Sequence, residues 1–275
     1  MSGKKPEMSQ AMREKLVSKK FVKNPIKGTK FTIMVSSAKG GVGKSTFAVN
    51  LAFALKQLGK KIGLLDADIY GPSLPKLIGK NEKPENKDGK YIVPIDSHGV
   101  QCMSMGFLVE ETTPMIWRGP MVISAIKTLT ERVLWKDLDI IVIDMPPGTG
   151  DTQLTFAQDI KVDGAIIIST PQDIALLDVK RGIQMFDKTK INIFGLVDNM
   201  SFFKGDDGKN YNIFGEGGVE KTAKEFNKDF LGKIPLQQDL RISADKGVPL
   251  TLSDTNHEIS LVFKEIAEKI LKKLN

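Results

Sequence analysis

Phe31-Thr-Ile-Met-Val-Ser-Ser-Ala-Lys-Gly-Gly-Val-Gly-Lys-Ser-Thr46 decides the architecture. The apolar run Phe31–Ser36 reads as a buried strand, a glycine-rich turn follows, and Ser45–Leu58 has the spacing of a helix stopped by Gly59. A strand that feeds such a turn into a helix is the setting of a phosphate-binding loop. Gly40, Gly41 and Gly43 clear side chains so that backbone N–H groups converge on phosphate oxygens. The helix N-terminus adds partial positive charge. Lys44 is placed for the β/γ oxygens and the Ser45 hydroxyl for Mg²⁺. Ala38 replaces the first glycine of G-x-x-x-x-G-K-[ST], a mild change, because the remaining glycines carry the close approach. The expected nucleotide cradle is thus Ala38, Lys39, Gly40, Gly41, Val42, Gly43, Lys44, Ser45 and Thr46.

Outward from this loop, further strands are expected at Lys61–Asp66, Tyr91–Ile95, Val100–Ser104, Asp139–Asp144, Gly164–Thr170, Ile191–Asp198 and Phe230–Ile234. Helices are expected from Pro120 to about Leu134, over Ile174–Lys188, and from about Asn256 to Leu274. Ile140-Ile-Val-Ile143 and Ala165-Ile-Ile-Ile168 are continuous apolar runs and do not alternate, the mark of strands covered on both faces. The expected fold is a doubly wound α/β domain, residues 30–275, with a mainly parallel sheet and helices on both faces.

Two acidic segments complete a site at the carboxyl ends of such strands, where open α/β sheets bind ligands. Asp66-Ala-Asp68 ends one strand and Asp144-Met-Pro-Pro-Gly-Thr-Gly-Asp151 ends another. By role, Asp144 holds the Mg²⁺ shell, Asp68 orients or deprotonates the attacking water, and Gly148 offers its N–H to the γ-phosphate. For Asp151, a helix cap and a site role stay equally open.

The chain has 275 residues and a net charge of +7. Nine of the 40 Lys/Arg and two of the 33 Asp/Glu fall within residues 1–30, leaving 31 of each in the remainder. The charge therefore belongs to a basic N-terminal arm, residues 1–29, which argues against a nucleic-acid-binding body. Met8, Met12, Leu16 and Val17 would stripe one short helix in that arm, which reads as a flexible arm or a helix packed on its own domain; membrane or nucleic-acid contact is its less favoured role. One cysteine, no run of signal-peptide type and no stretch near the ~20 apolar residues of a membrane span point to a cytoplasmic protein.

Lys39, before the Gly-Gly pair, resembles the deviant phosphate loop of the group that includes nitrogenase iron protein, MinD, ParA and the Mrp/ApbC iron–sulfur carriers. Asp66-Ala-Asp-Ile-Tyr-Gly-Pro-Ser73, Trp117-Arg-Gly-Pro120, the Asp144–Asp151 segment, Thr170-Pro-Gln-Asp173, Asn199-Met-Ser201 and Ile213-Phe-Gly-Glu-Gly-Gly218 together look like the Mrp/ApbC branch, from roughly Phe31 to Lys273. The resemblance implies a homodimer sandwiching two ATP molecules, with Lys39 reaching across to the partner's nucleotide. It implies that Asn199 recognises adenine and that the segment around Ile234-Pro235 lines the other edge. It also implies a bridging iron–sulfur cluster and delivery to apo iron–sulfur proteins or assembly factors.

One departure from that pattern matters most. Where the family carries Cys-x-x-Cys, this sequence reads Phe202-Phe-Lys-Gly-Asp-Asp-Gly-Lys-Asn-Tyr-Asn212, without a thiol. Asp206 and Asp207 read as a polar turn with Gly205 and Gly208. Cys102 reads as a core residue, and His98 and His257 lack metal-ligand spacing. The apolar stripe Ile259, Val262, Phe263, Ile266 and Ile270 reads as packed on the sheet, not on a membrane. Three functions follow: an iron–sulfur carrier ATPase, a cluster-free nucleotide-switched dimer that recruits a protein, or a MinD/ParA-like positioning ATPase.

Overall fold

The computed structural model describes residues 23–109 and 119–274. In chain order the elements are β1 (Thr29–Ser36), α1 (Lys44–Gln57), β2 (Ile62–Asp66), α2 (Leu74–Leu77), β3 (Asn86–Lys87), β4 (Tyr91–Ile92), β5 (Ile95–Ser97), β6 (Val100–Ser104), α3 (Gly119–Glu131) and β7 (Leu138–Asp144). They continue with α4 (Asp151–Asp159), β8 (Gly164–Ser169), α5 (Asp173–Thr189), β9 (Ile193–Lys204), β10 (Asn210–Tyr211), α6 (Gly218–Glu225), β11 (Phe230–Leu236), α7 (Gln238–Lys246), α8 (Leu250–Ser253) and α9 (Glu258–Leu274).

The apolar runs sit where continuous hydrophobicity requires, in the middle of the sheet. Its order is β10-β9-β8-β1-β7-β2-β6-β5, with β11 also paired to β9. All pairings from β11 through β6 are parallel; β10 and β5 join antiparallel at the margins. Four successive residues of β7, Ile140 to Ile143, are all buried, as are Ala165 to Ile168 of β8. Only strands covered on both faces bury every side chain in turn. α1 packs with α2, α8 and α9 as one group, and α3, α4, α5 and α6 contact one another in series as a second. The stripe on α9 is packed, with the Phe263 ring 5.5 Å from that of Phe47 on α1. Cys102 is fully buried in β6.

The structure corrects the sequence-based elements in several places. The single strand expected over Tyr91–Ile95 is two: β4 pairs with β3, β5 pairs with β6, and Pro94, which has no N–H to donate, separates them. The helix expected to reach Leu134 ends at Glu131, because Ile92 and Leu134 bond each other's neighbourhood through Arg132 O and Ile92 O. β9 runs to Lys204 instead of stopping at Asp198, held by β11 on one side and β10 at its end. Packing also begins before residue 30, since Ile26 is 2% exposed and Asn24 bridges to Ile160. The stripe at Met8–Val17 and the pair Trp117-Arg118 lie outside the described residues.

Candidate functional site

The loop between β1 and α1 leaves the first turn of α1 without a side-chain cap or an acidic residue. Its N–H groups therefore face the cleft unengaged by the protein's own carboxylates, the requirement for binding an anion. Gly43 precedes the helix with φ of 81°, and a Cβ there would stand 2.3 Å from Asn199 Nδ2. Both conformation and space demand glycine. The cleft encloses about 290 Å³, walled by the glycines of this loop, Lys44–Thr46 and, opposite, Asp68 and Ser73.

Lys44 is 6% exposed and its Nζ is ion-paired with Asp144 Oδ1, while standing 3.3 Å from Ser45 Oγ. Parallel pairing of β1 with β7 brings these residues together across 100 positions of sequence. Asp66 faces Asp144 across the β2–β7 pairing. Its carboxylate accepts the N–H groups of Asp68 at 3.0 Å, Ser73 at 3.0 Å and Leu74 at 3.1 Å, and the Ser104 hydroxyl at 3.0 Å. Asp66 thus pins the segment that carries Asp68. Burial, then the charge of Asp144, raises the Asp66 carboxyl above the usual range. Asp68 is half-buried beside the cleft, accepts the Gly71 N–H at 3.3 Å, and is also raised, chiefly by burial, with Lys44 opposing.

Two expected contacts are engaged elsewhere. The Gly148 N–H donates to Ser37 O at 2.9 Å, so it staples the turn after β7 to the end of β1 and does not face the cleft. Gln153, unmarked in the sequence, reinforces that staple through Pro146 O at 2.5 Å and Ser36 Oγ at 3.3 Å. The Asn199 amide donates to Val42 O at 2.7 Å, holding the phosphate loop from the back. Pro235 is buried beside it, since Ile234 registers with Asn199. Lys39 is exposed and takes no ion pair among the described residues. Apolar side chains lie bare at the start of α5 (Ile174, 63% exposed; Leu177) and along the β9–β10 hairpin and beyond it (Phe203, Tyr211, Ile213).

The chain matches, over residues 28–271, a family model described as the ParA-type NUBPL iron-transfer P-loop NTPase. It belongs to that family. The iron–sulfur cluster carrier protein of Escherichia coli K12 is 48% identical over 93% of this chain and 70% of its own length. The mouse iron–sulfur cluster transfer protein NUBPL is 45% identical over 99% of this chain and 86% of its own. A nucleotide-binding protein from Archaeoglobus fulgidus, solved in complex with ADP, is 36% identical, covers 85% of this chain and 93% of its own, and superposes with a TM-score of 0.73. Pyrococcus furiosus MinD, at 21% identity and a TM-score of 0.64 over 88% of this chain and 98% of its own, shares the fold.

The sequence supplies one thiol per chain, fewer than the thiolate set that an iron–sulfur cluster takes. That thiol, Cys102, is fully buried, and burial raises its pKa far above the ordinary thiol value. The segment Lys204–Asn212 forms a hairpin turn in which Asp207 accepts the Tyr211 hydroxyl at 2.9 Å and the Lys209 N–H at 3.0 Å. Among the described residues no group of three or more His, Cys, Asp or Glu is arranged to hold a metal ion. No helix of the described residues is long and apolar enough to cross a membrane.

Asp198, which sequence reasoning passed over, adjoins Asn199 and is 1% exposed with both carboxylate oxygens unpartnered. Burial pushes it up to about 7; Lys233 on β11 pulls it back and Glu220 on α6 pushes it further. A carboxyl raised on folding keeps its proton between about pH 4 and 7, where the unfolded chain has lost it. Stability therefore falls as pH rises through that window, by roughly 2–4 kcal/mol for this group. Asp198→Asn is expected to flatten the pH dependence of the urea midpoint between those limits; an unchanged slope would show that Asp198 is ionised in the fold.

Proposed function

We propose that the chain binds Mg-ATP in the β1–α1 cleft and hydrolyses it to ADP and phosphate as a homodimer. The observation that carries this reading is the Lys44–Asp144 pair at the mouth of an uncapped helix N-terminus. Phosphate oxygens replace Asp144 on the Lys44 ammonium, which frees the Asp144 carboxylate. Ser45 and Asp144 are hard oxygen donors suited to Mg²⁺ and would hold it; the ion supplies charge neutralisation on the β/γ-phosphates. Asp68, already raised by burial, orients water and receives its proton as the hydroxyl attacks the γ-phosphorus. Lys39 is exposed on the loop and supplies its charge to the nucleotide of the second subunit. The bare apolar residues of α5 and the hairpin supply surface for that subunit to cover. Gly148 becomes a γ-phosphate donor only by leaving Ser37 O, and Asn199 meets adenine only beside or instead of Val42 O.

Asp68→Asn is expected to leave ATP affinity within about threefold while slowing hydrolysis about a hundredfold or more, the range of a lost general base. Lost affinity with unchanged turnover would assign Asp68 to the fold or the metal shell. The clients in this reading are apo iron–sulfur proteins or assembly factors, as the family resemblance implies. Buried Cys102 favours a version in which the dimer transmits nucleotide-driven shape change without holding a cluster. Anaerobic reconstitution with iron and sulfide should leave the protein without a stable [4Fe–4S] centre, since a dimer brings two thiols where such a cluster takes four. About four irons per dimer, lost in Cys102→Ser, would establish the carrier version instead.

A further inference from the structure

The larger described cavity, about 720 Å³, lies away from the nucleotide cleft. It opens between residues 24–27, which lead into β1, the end of α3 before β7, and the end of α4 before β8. These segments meet the amino ends of the parallel strands, whereas the phosphate loop sits at the carboxyl ends. The two clefts thus occupy opposite edges of the sheet, and a ligand in one leaves the other open.

Its floor is apolar, with Ile26, Ile126 and Ile160 each buried. Its rim carries Lys27, Lys90, Lys127 and Arg132 against Glu131 and Asp159, and none of the four cations has an ion pair among the described residues. Some surface cations elsewhere are paired, as in Lys30–Asp139, Lys180–Glu225 and Arg241–Asp245. Lys90 lies over the ring of Tyr91, itself half-buried in the cleft wall.

We infer that this cleft docks an acidic peptide segment of a partner protein, its carboxylates spread over the four rim cations and an apolar side chain on the isoleucine floor. The cations stand on three separate pieces of structure, which matches charges spaced along a chain better than one compact phosphate. The helix ends facing the cleft are C-termini, whose carbonyl dipoles repel a concentrated dianion. Long lysine and arginine side chains reach past those carbonyls, so dispersed carboxylates are accepted. The volume falls within the range of pockets that enclose a few residues.

The test is fluorescence anisotropy of the full chain with a short fluorescein-labelled peptide of repeated Glu-Asp-Leu. Saturable, salt-sensitive binding is expected, with none to the matching Gln-Asn-Leu peptide. The triple variant Lys90→Ala, Lys127→Ala, Arg132→Ala should weaken it about tenfold, the sum of three exposed ion pairs, with ATP affinity unchanged. Absence of saturable binding, or equal binding by the triple variant, overturns the inference. So does a single-stranded RNA oligomer of equal charge that binds more tightly through the same three residues.

Discussion

Lys44→Ala is expected to abolish tight Mg-ATP binding, with a loss on the order of a hundredfold or more, because charge-assisted bonds to two phosphates disappear together. A second effect comes from the apo protein. Removing Lys44 leaves the buried Asp144 carboxylate without its partner, and breaking a buried pair from one side costs about 3–5 kcal/mol. The two effects separate in a cycle: adding Asp144→Asn to Lys44→Ala should restore the urea midpoint while ATP stays unbound in calorimetry. Near-normal affinity in Lys44→Ala would remove the phosphate site from this loop. A midpoint unmoved by Lys44→Ala would show that the pair contributes nothing to the apo fold.

Lys39→Ala should suppress hydrolysis roughly a thousandfold, at the low end of what a cation supplied in trans contributes to phosphoryl transfer. Its side chain is exposed, so thermal stability should not move. Mixing Lys39→Ala with Asp68→Asn gives heterodimers in which one site has both an intact Asp68 and a Lys39 donated from across the interface. Partial recovery of activity on mixing is the signature of action in trans. Recovery absent, with heterodimers shown to form, would place Lys39 in its own subunit's site.

The central architecture was legible because burial on both faces leaves a local trace: Ile140–Ile143 and Ala165–Ile168 have no polar residue to give a face to water. The phosphate loop was legible because glycine, lysine and hydroxyl are demanded at adjacent positions. Hydrogen-bond destinations were not, since they depend on what the fold brings alongside. Nothing near Gly148 in sequence announces Ser37 O as its acceptor, and nothing near Asn199 announces Val42 O. The extension of β9 to Lys204 likewise follows from β11 and β10 arriving beside it. Asp198 escaped notice because an Asp on a strand signals burial only when its neighbours are known.

The adjacency of β1 and β7 also sets when in folding the nucleotide site can exist. Lys44 and Asp144 meet only after β1 has paired with a strand that follows it by about a hundred residues, past the β3–β6 excursion and α3. Such distant parallel pairing is slow, because loop closure precedes any reward from contact. Before β7 arrives between β1 and β2, the chain has the glycine loop and the lysine but lacks Asp144, the carboxylate that pairs with Lys44. Nucleotide therefore selects the finished sheet over its precursors, and adding ATP to a refolding chain should slow unfolding far more than it speeds folding.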